Sequence, residues 1–231
     1  MYSLMNTSTR IRKIMALLRK AYGRPPALRK SDPIGELIRT VLSQNTSDIN
    51  SLKAFAILKR NFRPWDDILR TDTRKIEALI KHAGLANIKA RRIKEVLTEI
   101  KRREGALSLS SIKNLSVEDS LVYLRSLKGV GPKTAACVLL FSFAKPVMPV
   151  DTHIFRVTKR LGLIDDNMDI EEAHEALSKI VPRDLIYDFH LGIIEHGRKT
   201  CKAPYPRCGV CLLYKVCNFK KKAFFKKRGQ N

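Results

Sequence analysis

Acidic residues are scarce in this chain. Asp and Glu number 22 against 45 Lys and Arg, a formal charge of +23 over 231 residues. A protein so basic repels itself, and a polyanionic partner relieves the strain. Nucleic acid is the first expectation, an anionic membrane surface the alternative. No run of 18 apolar residues exists, so no helix is expected to span a bilayer. The opening segment MYSLMNTSTRIRK lacks the basic-then-apolar order of a signal peptide. Export is therefore not expected, and neither is a disulfide framework. The cytoplasm is the expected compartment, beside the nucleoid in a prokaryote. Sustained period-2 patterning bounded by hairpin turns is also missing, which argues against a sheet.

What is present is helical. Hydrophobic residues make up 44% and charged residues 29%, a globular balance. Ile11, Ile14, Leu17 and Leu18 mark an amphipathic helix with Thr9 as its expected cap. Asp32-Pro33 opens a second helix, with Ile34, Leu37, Ile38, Val41 and Leu42 on its apolar positions. Further helices are expected at 48–60, 73–82, 87–103, 117–127, 132–143, 152–162, 169–180 and 184–197. Val138–Phe143, readable alone as a strand, continues the helix begun at Pro132. Basic charge gathers at 89–103 and again at 220–228. The second segment, KKKAFFKKR, reads as a frayed tail, either solvated or touching a partner.

Between two helices stands Leu127-Lys128-Gly129-Val130-Gly131-Pro132-Lys133-Thr134. Glycines two apart allow a tight turn and close approach of a ligand. The amides around them lie beside a helix start, an anion site that fits a DNA phosphate. Lys128, Gly129, Val130, Gly131 and Thr134 are the expected contacts; a plain helix corner is the alternative. Lys133 sits in the first helical turn. The dipole there disfavours an ammonium, and a free amine is what a nucleophilic lysine needs. A charged, phosphate-binding lysine is the other reading. An extended connector, 144–150, then leads to Asp151. It is long enough, at about 20 Å, to retrace the roughly 16 Å of the preceding helix and return Asp151 toward Lys133. Asp151 also reads as a helix N-cap, and His153 as a packing or orienting residue.

Four of the five cysteines fall at Cys201, Cys208, Cys211 and Cys217. Four thiolates in one loop can enclose a tetrahedral metal or a cubane cluster, and ligand type alone does not separate zinc from [4Fe–4S]. Cys137, on an apolar helix face, reads as core.

LKGVGPKTA, PVDTHIFRV and the C-x6-C-x2-C-x5-C box together resemble endonuclease III, of the helix-hairpin-helix DNA glycosylase superfamily. The likeness runs from about Asp32 to Cys217. It implies an all-α fold of two lobes flanking a DNA cleft. One lobe is residues 32–144, with the helix-hairpin-helix at about 117–143. The other is 1–31 plus 145–231, holding a [4Fe–4S] cluster on Cys201, Cys208, Cys211 and Cys217. Lys133 falls on the family's Schiff-base lysine and Asp151 on its catalytic aspartate. Residues 42–48 fall on the base-flipping loop. The family's inserted Gln aligns with Asn45, Gln44 standing just before it, so which amide enters the stack is open. Leu85, after Gly84, falls on the wedge into the opposite strand; a core leucine is the alternative.

The implied activity is a bifunctional DNA glycosylase and AP lyase acting on oxidised pyrimidines in duplex DNA, the partner being DNA with damaged bases or abasic sites. A monomer is expected, with no membrane partner. An adenine-specific relative would carry Glu where Thr40 stands. Thymine or uracil mismatch relatives often replace the lysine with tyrosine, and oxoguanine relatives generally lack the cysteine box. A mismatch glycosylase, or a non-catalytic DNA-binding module with structural zinc, are the remaining alternatives.

Overall fold

The computed structural model describes residues 6–228. Among them the chain is all helical, and no helix is long and apolar enough to cross a membrane. It divides into two compact units, residues 1–28 with 146–231, and residues 29–145.

The second unit is built round α2 (Pro33–Ser43). Asp32 caps it, accepting from the amides of Ile34 and Gly35, and also takes the indole N–H of Trp65 at 2.7 Å. Ile34, Leu37, Ile38, Val41 and Leu42 are all buried, so almost the whole circumference of α2 is covered. It packs on α8 (Pro132–Phe143), α3 (Asp48–Asn61) and α6 (Ala86–Glu104). The buried run Thr134–Leu140 makes α8 the second apolar helix of the core. The stretch 138–143 is helix throughout. Thr40, buried in mid-helix, donates its hydroxyl back to the Glu36 carbonyl at 2.9 Å. Two short pieces escaped the periodicity: α4 (Asp66–Arg70) and a 3-10 turn at Ser110–Asn114. Each is too short to show a period. Between α3 and α6 lie α5 (Thr73–Leu79) and a 3-10 turn, Lys81–Ala83. α7 (Val117–Arg125) precedes the glycine hairpin.

In the first unit, α1 (Thr7–Tyr22) lays Ile11, Ile14, Met15 and Leu18 against α11 (Ile186–Lys199). Its cap is Asn6, whose carboxamide oxygen accepts from Ser8 at 2.7 Å, and not Thr9, which lies inside the first turn. α9 (Thr152–Leu161) packs on the same α11, and α10 (Ile170–Ile180) precedes it. The connector before α9 is extended, with Val147, Met148 and Val150 buried. Ser178 Oγ accepts from Met148 N, and His190 Nδ1 meets the Pro149 carbonyl at 3.1 Å. The expected frayed tail is instead helix α12 (Lys222–Arg228). Its cations find aromatic faces: Lys226 over Tyr214 at 5.1 Å and Arg228 over Tyr205 at 5.1 Å. Phe225 stacks on Phe219. Such cation–π contacts, with Lys222 donating to the Tyr214 carbonyl, anchor a segment that charge alone would leave loose.

Candidate functional site

The hairpin between α7 and α8 is set by one turn. Val130 N–H donates to the Leu127 carbonyl at 3.0 Å, and both side chains are buried. Gly129 has φ +85, a conformation that suits glycine. Gly131 is the N-cap of α8 and offers no capping side chain. The first bond back into the helix is Ala135 N to Gly131 O. The amides of Gly129, Gly131, Lys133 and Thr134 therefore have no protein acceptor among the described residues. No atom lies within 4 Å of where a Cβ on Gly131 would stand. Orphan donors, an open approach and the positive end of a 12-residue helix make an anion site. Val130 differs from the other expected contacts, because its amide and side chain are both turned inward. Thr134 is buried and offers only its amide. Lys128 is 86% exposed beside Glu95.

Lys133 is half-buried and makes no hydrogen bond or ion pair with any described residue. Asp151, in the first unit, caps α9 by accepting from Ile154 N through Oδ1 at 2.8 Å. Its other oxygen has no protein partner. His153 packs under Gly197 and meets Arg156 Nη2 at 3.2 Å.

Two further turns stand together in the second unit. Asn45 has φ +50 and Leu85 φ +49, both left-handed without being glycine. A Cβ on Gly84 would lie 3.9 Å from the Asn45 carbonyl, so the turns are neighbours. Asn45 is exposed, and Leu85 is 51% exposed, which excludes the core reading of that leucine. Lys89, 2% exposed, holds both turns: its ammonium donates to Leu42 O at 2.8 Å and Ala83 O at 2.6 Å. Burial pushes its pKa down. Arg92 Nη1 donates to Gln44 Oε1 at 2.6 Å. The stem of Arg92 crosses the hairpin, within 2.7 Å of where a Gly129 Cβ would sit.

Lys89 and Arg92 were hidden in the basic run 89–103. One signal marks Lys89: it occupies the first position of the buried stripe that continues at Ile93, Val96, Leu97 and Ile100. Much of that run serves the fold. Lys94 donates to Thr71 O, Lys101 pairs with Asp66, and Arg102 and Arg103 grip Glu99, holding its carboxyl down at about 2.

In the first unit, Cys201, Cys208, Cys211 and Cys217 line one pocket with His196, Leu213 and Phe219. Arg160 Nη1 lies 3.4 Å from Cys201 Sγ, Phe219 N 3.5 Å from Cys217 Sγ, and His196 Nε2 3.8 Å from Cys211 Sγ. Burial, with smaller contributions from the three other cysteines, pushes the Cys211 thiol up to about 12. Burial likewise raises Cys208 and Cys217. Thiols so placed favour a cation that would deprotonate them, and the N–H donors suit a thiolate. Among the described residues no three His, Cys, Asp or Glu side chains are gathered as a single ion would require. Cys137 is 5% exposed within α8.

Unpaired amides offered by a glycine turn between two helices place the protein among helix-hairpin-helix proteins. Residues 38–183 match the HhH-GPD superfamily of base excision DNA repair proteins. Endonuclease III of Thermotoga maritima is 36% identical over 202 residues, covering 87% of this chain and 88% of that protein. A putative DNA glycosylase of Arabidopsis thaliana is 39% identical over 168 residues, 72% of this chain; the chain spans 57% of that relative. The structure of a trapped endonuclease III–DNA covalent intermediate is similar at a TM-score of 0.80 and 30% identity, covering 95% of this chain and 100% of that one. The chain belongs to the endonuclease III family of base excision repair DNA glycosylases.

Proposed function

We propose that this protein removes oxidised pyrimidines from duplex DNA and then cleaves the strand at the abasic site. The observation that carries the reading is Lys133: an amine with no partner among the described residues, in the first turn of α8 directly behind the hairpin's anion site. The hairpin amides take a DNA phosphate and fix the backbone without reading sequence. The damaged nucleotide leaves the stack, because its C1′ is out of reach inside the duplex. Asn45 and Leu85 enter the space, one in each strand.

The Lys133 amine attacks C1′. The N–C bond forms as the glycosidic bond breaks, and the base departs with the electron pair and takes up a proton. Opening of the sugar ring leaves an iminium. That iminium acidifies the C2′ proton, and its loss expels the 3′ phosphate. Asp151 falls on the family's catalytic aspartate, and in that role its carboxylate assists deprotonation of the lysine and stabilises the positive charge growing on the sugar. The covalent DNA intermediate trapped with a relative supports the lysine route.

Cys201, Cys208, Cys211 and Cys217 would hold a [4Fe–4S] cluster. Their soft sulfurs, shared pocket and nearby N–H donors fit such a cluster. When bound, the cluster supplies one-electron chemistry and cross-links the loop; no excision step passes through it.

The test is Lys133→Gln. Fold and most DNA affinity should survive, since one cation of many is lost. Base excision and strand cleavage should both disappear, and borohydride should trap wild type on damaged DNA but not the variant. Trapping of the variant at the wild-type rate would overturn the assignment. Iron and sulfide should be found in the purified protein; one zinc per chain with full activity would remove the cluster.

A further inference from the structure

A buried histidine in the first unit has no part in the steps above. His196, on α11, stands between the cysteine loop and the end of α1, and is 3% exposed. Its Nε2 lies 3.8 Å from Cys211 Sγ, and its Nδ1 lies 2.9 Å from the Tyr22 hydroxyl. That hydroxyl also meets Thr200 Oγ1 at 2.7 Å. Neither ring nitrogen has another partner among the described residues, so no carboxylate bonds the ring. Burial without a counter-charge disfavours an imidazolium. The ring is therefore neutral and carries one N–H, on one nitrogen or the other.

We propose that Tyr22 is a positioning residue for the cluster: it holds His196 as the N–H donor to Cys211 and so raises the cluster's reduction potential. The inference rests on the cluster proposed above. Counting protons leaves one arrangement. A sulfur bound to iron carries no proton and can only accept. The imidazole proton must then sit on Nε2 to bond it. Nδ1 is left with a lone pair and takes the Tyr22 proton. The Tyr22 oxygen in turn accepts from the Thr200 hydroxyl. Every donor in the row points toward the sulfur. Without the phenol nothing fixes the tautomer. A proton on Nδ1 would turn the Nε2 lone pair against the sulfur. Hydrogen bonds to sulfur are one control on cluster potential. A reduced cluster holds one more negative charge, so an N–H donor favours it over the oxidised state. The donors at Cys201 and Cys217 come from Arg160 and Phe219 N, and do not depend on Tyr22.

The experiment measures the reduction potential of the purified holoprotein by voltammetry, and the tautomer of His196 by its ring-nitrogen NMR shifts. Wild type should carry the ring proton on Nε2. Tyr22→Phe should make the cluster harder to reduce: at a fixed potential the reduced-to-oxidised ratio should fall about tenfold, or about 59 mV for one electron. Its His196 should show the proton on both nitrogens. His196→Phe should shift the potential at least as far in the same direction. Thr200→Val leaves Tyr22 its proton to give, and should change the ratio by less than about twofold. Iron-loaded Tyr22→Phe with the wild-type potential would overturn the proposal. So would a Thr200→Val shift as large as that of Tyr22→Phe, since a loosened loop would then explain both. A wild-type proton on Nδ1 would overturn it even where a variant sheds its iron. Zinc in place of iron and sulfide would give no redox couple, and would overturn the cluster and the claim on its potential together.

Discussion

Replacing Lys89 with methionine tests how the Asn45 and Leu85 turns are held. Methionine fills similar volume, so no large cavity opens. What is lost is the pair of ammonium bonds to Leu42 O and Ala83 O. A buried carbonyl without its donor costs about 1–3 kcal/mol, so two cost about 2–6 kcal/mol. Relief from burying an ammonium offsets part of that. A net loss of about 2–4 kcal/mol is expected, read by urea as a lower midpoint for the transition of residues 29–145. In a chain of this size it corresponds to a melting point about 5–15 °C lower. The functional effect should exceed the stability effect. The same bonds fix the ends of the Asn45 and Leu85 turns, so excision from a paired duplex should fall more than cleavage at a pre-formed abasic site. A variant within about 0.5 kcal/mol of wild type, or one that slows both reactions equally, would refute the reasoning.

Leu85→Gly should raise stability by about 1 kcal/mol, because glycine holds φ +49 without the side-chain penalty. It should nonetheless slow excision from paired duplexes; thermal melts and single-turnover rates decide both halves. Gly129→Ala puts a Cβ within 2.7 Å of Arg92 at a positive φ, and should cost about 1–3 kcal/mol while weakening DNA binding several-fold in a filter or anisotropy assay. Ending the chain after Phe219 removes α12 with its cations. The slope of log affinity against log salt should become shallower if those cations meet phosphates, and an unchanged slope would leave α12 as a brace for the cysteine loop alone.

The all-helical class, the apolar faces of α2 and α8, and the hairpin with Lys133 behind it were readable from residue order. Each depends on neighbours close along the chain, such as a 3.6-residue period, a proline at a helix start or glycines two apart. Four cysteines within 17 residues were equally local. The cap at Asn6 instead of Thr9 was a boundary matter, because two polar residues near a helix start compete for one role and only backbone geometry selects between them. Charge was the poorer guide. The run 89–103 read only as a gathering of basic charge, yet Lys89 is interior and several of its neighbours close ion pairs or carbonyl bonds at home. The tail 220–228 looked loose, yet it folds on tyrosines supplied by the cysteine loop. A positive charge carries no label for its partner. Its partner is a carbonyl or ring brought in by a distant segment, as Leu42 O is brought to Lys89 across 47 positions of sequence. Local pattern settled which elements form, and the packing of those elements decided which cations remain free to meet DNA.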